Sequence, residues 1–292
     1  MKVLVATDGS EYGQWGLNWA ATLPFVTPPR VTALHVLDSA WLRLPFRTKL
    51  EVQRVEARAA NILKRTKQQL ISLNLKGTVR KEQGAVAQTI LKRAPKRDGL
   101  LVVGSKGLDA LDRFTLGSVS TKLIQYATCP VLVVKGDAVP LRRIALATDG
   151  SETSAKALNF VLSTFQPDRS AGSDGHAPVH VSVIHVVARR PLAPITIGST
   201  IPWVEYRQRK ENETGRKLLE RSMQKLIDAG FTAEPLCQSG NPAEEIMNVA
   251  TKHRADLIVM GAKGLTAIDR FLLGSVSTRV VQHAKISVLV VR

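Results

Sequence analysis

One segment of this chain is written twice. Gly104-Ser105-Lys106-Gly107, followed by Arg113-Phe114 and then Leu116-Gly117-Ser118-Val119-Ser120-Thr121, returns 157 residues later as Gly261-Ala262-Lys263-Gly264, Arg270-Phe271 and Leu273-Gly274-Ser275-Val276-Ser277-Thr278. Upstream, Ala6-Thr7-Asp8-Gly9-Ser10 returns as Ala147-Thr148-Asp149-Gly150-Ser151, and Leu34-His35-Val36 is echoed by Ile184-His185-Val186. The shared segments keep one order, so what is duplicated is a whole fold and not a short structural period. The chain must therefore fold the same way twice. Its 292 residues divide into a domain over 1–136 and another over 142–292, each of ordinary size for one hydrophobic core. The joint, Gly136 to Leu141, is short enough that the halves are expected to pack closely.

In the first copy, strands are expected at 2–7, 30–36, 76–82, 99–104 and 130–134, and helices at 11–23, 50–74, 85–94 and 117–127. The strands are short Val-rich and Leu-rich runs, as parallel strands covered on both faces should be. The long helix sets Val52, Val55, Ala59, Ile62 and Leu70 along one face. The second copy repeats the series, with Asn241-Pro242-Ala243-Glu244 supplying a helix cap, a first-turn proline and a carboxylate at the third position. The expected fold class is α/β: two tandem doubly wound domains, each a five-stranded, mostly parallel sheet with helices on both faces. The second copy adds an insertion from Pro167 to Pro178 and a stretch rich in Pro and Gly from Arg189 to Pro202, both expected to be mobile surface loops.

Composition removes several function classes. No run approaches the roughly 18 apolar residues of a membrane span, and Val3-Leu4-Val5-Ala6 is too short for the core of an export signal, so a cytoplasmic protein is expected. Cys129 and Cys237 sit at unrelated points with no paired ligand spacing, which argues against a disulfide or zinc centre and for two small apolar core residues. The net charge of +17 is uneven: residues 43–106 hold 16 basic and 4 acidic side chains. Such a field can attract nucleic acid or anionic lipid. No aromatic residues interleave with the basic ones as stacking platforms, which favours a solvated helix surface.

The chemistry lies in the glycine spacing. Each copy has a glycine ending its fourth strand (Gly104, Gly261), a second three residues on (Gly107, Gly264), then nine residues, then Gly-Ser opening a helix (Gly117-Ser118, Gly274-Ser275). Open α/β sheets bind ligands outside the carboxyl ends of their strands, where a helix N-terminus offers unpaired N–H groups and a dipole favouring anions. Gly117 and Gly274 would let a phosphate approach the backbone, and Ser118, Ser120, Thr121, Ser275, Ser277 and Thr278 add hydroxyls. Lys106 and Lys263 lie inside the loop as candidates for a phosphate. Arg113 and Arg270, beside Asp112 and Asp269, read as structural ion pairs or as groups reaching a terminal phosphate. Asp8 and Asp149 can cap the helices that follow them. His35 and His185 read as satisfied structural histidines, since no nucleophile partners them. Neither a Walker A sequence nor a dinucleotide Gly-x-Gly-x-x-Gly is present.

These residues resemble the universal stress protein family, whose ATP-binding members share Gly-x2-Gly-x9-Gly-Ser/Thr, and both halves match over nearly the whole chain. The resemblance implies that Asp8 and Asp149 meet the ribose, that Val36 and Val186 frame adenine, and that Gly104, Gly107, Gly117 and Ser118, with Gly261, Gly264, Gly274 and Ser275, grip the phosphates. The expected site further includes Ala6, Thr7, Val103, Lys106, Val119 and Ser120, with Ala147, Thr148, Met260, Lys263, Val276 and Ser277. It implies ATP with Mg2+ as ligand, a nucleotide-dependent role in the stress response, and at most slow ATP hydrolysis without a dedicated catalytic group. The resemblance implies that fifth strands pair domain to domain. A homodimer or an intramolecular pseudo-dimer through 131–134 and 288–291 is therefore expected, with a dimerising scaffold of vacant sites as the rival reading.

Overall fold

A computed structural model describes residues 1–42, 48–96, 98–107, 116–167, 178–188, 201–265 and 273–292. The first half runs β1 (Lys2–Ala6), α1 (Glu11–Thr22), β2 (Arg30–Asp38), α2 (Ser39–Leu42), α3 (Lys49–Ser72), β3 (Gly77–Gly84), α4 (Val86–Arg93), β4 (Gly99–Gly104), α5 (Ser118–Tyr126) and β5 (Val131–Val134). The second runs β6 (Arg143–Ala147), α6 (Glu152–Thr164), β7 (His180–Ala188), α7 (Ile201–Asp228), β8 (Thr232–Gly240), α8 (Pro242–Lys252), β9 (Leu257–Gly261), α9 (Ser275–His283) and β10 (Ser287–Val291). The fold is α/β with two tandem domains, as the alternating pattern required. The long helix α7 starts at Ile201, so Pro202 falls in its first turn, where a missing N–H breaks no helical bond. The readings of 167–178 and 189–202 as loops fall mostly on residues outside those described.

Ten strands form one sheet in the order β3-β2-β1-β4-β5-β10-β9-β6-β7-β8. Every pairing is parallel except the central one, where β5 meets β10 antiparallel with Leu132 opposite Leu289. Of the two arrangements expected of the fifth strands, the chain has the intramolecular one. The apolar edges Val131–Val134 and Ser287–Val291 close on each other, and β3 and β8 become the edges of the sheet. Those edges suit solvent: β3 carries exposed Arg80 and Lys81, and β8 holds Pro235, whose absent N–H is tolerated in a strand paired on one side only.

Alternation along the strands gives each face of the sheet its own core. Val3, Val5, Leu100, Val102 and Leu132 share a cluster with Leu17 and Trp19 of α1, Leu70 of α3, Val161 of α6 and Leu219 of α7. Leu4, Leu101, Val103, Val131 and Val288 share another with Ile90 of α4, Leu123 of α5, Ile246 of α8 and Val280 of α9. Both cores cross from one half to the other through β5 and β10. Each fully buried Val or Leu there contributes about 1.5–3 kcal/mol, so the seam is an interior and not a loose contact. Phe25 and Phe165 bridge the halves again, with ring centroids 6.2 Å apart. Cys129 is buried in this core, as expected; Cys237 is not, because it lies on the edge strand β8 and is exposed. No described helix is long and apolar enough to cross a membrane.

Lys135 follows β5 at the seam. Burial, aided by the charge of Lys106, pulls the Lys135 ammonium from its ordinary 10.5 to about 8. The unfolded chain keeps that proton up to 10.5, so the contribution of Lys135 to stability is present in full above 10.5 and lost as pH falls through 8. Urea unfolding on either side of pH 8 should therefore show a rise in stability with pH that Lys135→Met flattens.

Candidate functional site

The carboxyl ends of β1 and β4, and of β6 and β9, come together at the rim where α5 and α9 begin. Each turn after the first strand of a half is built around a glycine, Gly9 or Gly150, held at φ +82° where a side chain would be strained. The Asp8 carboxylate accepts from Ser10 N at 2.9 Å, and Asp149 accepts from Ser151 N at 2.9 Å. The alternative reading of these aspartates as helix caps gives way to Ser10 and Ser151. Their hydroxyls accept from the N–H of Gly13 and Ser154, because the turn carries the chain two residues past Asp before the helix opens. The aspartates face the glycine loop. A Cβ on Gly107 would come within 2.8 Å of Asp8 Oδ2, and one on Gly264 within 2.7 Å of Asp149 Oδ2. In the second half, Leu265 N also donates to Asp149 Oδ2 at 3.2 Å.

The three glycines of each loop do different work. Gly104 and Gly261 make room for the first turn of the neighbouring helix: a Cβ would meet Tyr12 Cβ at 2.6 Å in one half, and Thr153 Oγ1 at 2.5 Å and Ser154 N at 2.7 Å in the other. Gly117 and Gly274 meet no comparable obstruction. They are the N-caps of α5 and α9, at φ −62° and −66°, and no side chain caps either helix. A Cβ at Gly117 would have its nearest neighbour at 3.4 Å, and one at Gly274 at 3.3 Å. Neither backbone conformation nor a severe clash demands glycine there. What its absence of a side chain provides is open space in front of the free N–H groups of the first helical turn.

The hydroxyls expected at the loop divide likewise. Ser120 Oγ donates to Gly104 O at 2.6 Å, and Ser277 Oγ to Gly261 O at 2.9 Å, both buried. Thr121 and Thr278 donate back to the carbonyls of Gly117 and Gly274 at 3.0 and 2.9 Å. Their protons fix the loop, so these four are positioning groups and not the phosphate donors that spacing suggested. Ser118 and Ser275, at the first helical position, stay exposed. His35 Nδ1 and His185 Nδ1 each lie 2.9 Å from the carbonyl of Thr7 or Thr148. A carbonyl only accepts, so each Nδ1 carries the hydrogen, and the rings pin the residue preceding each aspartate. On α7, Gly215 leaves the space that the His185 ring occupies, which nothing in the sequence pattern had marked.

In the second half these elements enclose a cleft of about 590 Å³. Ala147, Thr148, Asp149, Val186, Met260, Gly261, Lys263, Gly264, Gly274, Ser275, Val276 and Ser277, all expected from the sequence, line it. Ile184, Pro242, Ile246 and Leu273 add an apolar wall, and Ser154 and Leu265 complete the lining. Sequence adjacency could have found Ile184 and Leu273, and the marked start of α8 could have found Pro242 and Ile246. Size and lining suit a small molecule with one apolar end and one anionic end. At the anionic end, Thr153 Oγ1 donates to Lys263 O and accepts from Lys263 N at 3.2 Å. The Lys263 Nζ is buried and has no hydrogen-bond partner among the described residues.

The first half places its counterparts at the same rim. Gly107 packs on Asp8, Lys106 Cα lies 3.7 Å from a Cβ built on Gly117, and Ser120 ties α5 to Gly104. Ala6, Val36 and Val119 are partly buried against the core that contains Val103, and Thr7 is buried beside them. Arg113, Asp112, Arg270 and Asp269 lie outside the described residues.

Two segments of the chain, 1–135 and 140–292, each match the model of the universal stress protein family. A universal stress protein of Mycolicibacterium smegmatis is 30% identical over 99% of this chain and 96% of its own length. Universal stress protein YxiE of Bacillus subtilis is 32% identical over 51% of this chain and 98% of its own length. Among solved structures, a universal stress protein from Archaeoglobus fulgidus superimposes with a TM-score of 0.71 over 100% of this chain and 96% of its own, at 20% identity.

Proposed function

The chain belongs to the universal stress protein family, and from that premise we propose that each half binds ATP at its glycine loop and that the protein is a nucleotide-dependent regulator of the stress response. One observation carries the reading: a buried ammonium, Lys263 Nζ, has no hydrogen-bond partner among the described residues and lies in a cleft beside a helix start that no side chain caps. A buried ammonium with no hydrogen-bond partner among the described residues is costly, and uncapped amides are unsatisfied donors; a polyphosphate answers both needs at once.

The residue roles follow from position. Amides of Ser118, Val119 and Ser120, and of Ser275, Val276 and Ser277, meet the phosphates, with Lys106 and Lys263 supplying charge and Ser118 and Ser275 supplying hydroxyls. Asp8 and Asp149 hold the ribose. Val36 and Val103, with Val186 and Met260, face the base. Mg2+ would neutralise phosphate oxygens; among the described residues no three His, Cys, Asp or Glu are grouped to hold a metal alone, so the ion would arrive with the nucleotide.

Lys263→Met tests this directly. Calorimetric titration with Mg-ATP should show the second site weakened by at least about tenfold, the value of one lost charge-assisted hydrogen bond, with the melting temperature not lowered. Unchanged affinity in a folded variant would contradict the assignment.

A further inference from the structure

At the seam, each half reaches into the other's phosphate-site helix. β5 is followed by Lys135, whose Nζ donates to Gln282 O near the C-terminal end of α9 at 3.1 Å. β10 is followed by Arg292, whose guanidinium donates to Ile124 O and, at 2.7 Å, to Gln125 O near the C-terminal end of α5. The last carbonyls of a helix have no partner within it and carry its negative end, so a cation there satisfies them and holds the helix in place. The arrangement is reciprocal because β5 and β10 run antiparallel, which carries the residue after each strand past the other strand and onto the opposite helix. Lys135 N also donates to Ser287 Oγ at 3.2 Å, which fixes the backbone from which the lysine extends.

Both receiving helices have only nine residues, about 13 Å from end to end. Their N-terminal amides are those assigned above to the phosphates. We propose that Lys135 and Arg292 are positioning residues that act crosswise: Lys135 of the first half sets the geometry of the second nucleotide site through α9, and Arg292 of the second half sets that of the first site through α5. The two sites are then coupled through the seam, since phosphate at one end of a short helix and a cation from the opposite half at the other restrain the same rigid element. This inference rests on the ATP reading.

The experiment uses full-length chains in which one site is silenced, by Gly117→Val or by Gly274→Val, so that Mg-ATP titration reports the other alone. With the first site silenced, Lys135→Gln should weaken binding by about two- to fivefold, the range for a charge at a helix end, and Arg292→Gln should leave it unchanged. With the second site silenced, Arg292→Gln should weaken binding by the same factor, and Lys135→Gln by less than it does at the second site, since it reaches the first site only through the charge of Lys106. Lys135→Arg and Arg292→Lys should restore most of the loss. A general loosening of the seam, followed in the same variants by thermal melting, would weaken both sites together. Equal weakening of both sites, weakening confined to the variant's own half, or no change overturns the crosswise assignment while leaving the ATP reading intact. Absence of ATP binding by the unmodified chain overturns both.

Discussion

Gly117→Val and Gly274→Val, made together, are expected to abolish ATP binding, by at least about 100-fold, in a protein that still folds. The loss is large because a side chain at the N-cap fills the space in front of several amides at once, and each charge-assisted hydrogen bond to phosphate is worth about 1.5–3 kcal/mol. The fold survives because φ at these positions, −62° and −66°, is open to any residue, and the nearest atoms to a new Cβ stand at 3.4 and 3.3 Å. Placing valine at a helix N-cap costs about 1 kcal/mol per site. Calorimetry with Mg-ATP reads the first effect and urea unfolding the second. Retained affinity in the double variant would remove the helix start from the site.

The first glycine of the same motif should behave in the opposite way. Gly261→Ala is expected to destabilise the protein by about 3 kcal/mol, because its methyl would lie 2.5 Å from Thr153 Oγ1 and 2.7 Å from the backbone nitrogen of Ser154. Backbone cannot swing aside as a long side chain can, so α6 must move off the end of β9. A urea midpoint equal to that of the parent would show that the helix yields without cost. Together the two substitutions separate a glycine that the fold needs from one that the ligand needs, within a single sequence motif.

That distinction marks how far the sequence could be read. Strand and helix order followed from local pattern, because Val-rich runs buried on both faces and amphipathic helices such as α3 carry their period in the chain itself. The start of α8 was equally plain: Asn241 caps it through Ala243 N, with Pro242 in the first turn. The rim of the second site was legible from the glycines and the residues beside them. What escaped depends on contacts between distant segments. Ser120 and Ser277 look like phosphate donors until the strand carbonyls 16 residues earlier claim their protons. A cap role for Asp8 and Asp149 stays open in the sequence until the serine hydroxyls two residues on take it. Cys237 reads as a core residue unless β8 is known to be the sheet edge. The reach of Lys135 and Arg292 across the seam exists only once two halves are packed into one sheet.

The most direct measurement is equilibrium dialysis of the purified chain against Mg-ATP at cellular concentration, counting nucleotide retained per polypeptide. Uncapped helix starts facing a loop lysine in both halves predict one ATP per half. Retention of none would contradict the account at its root.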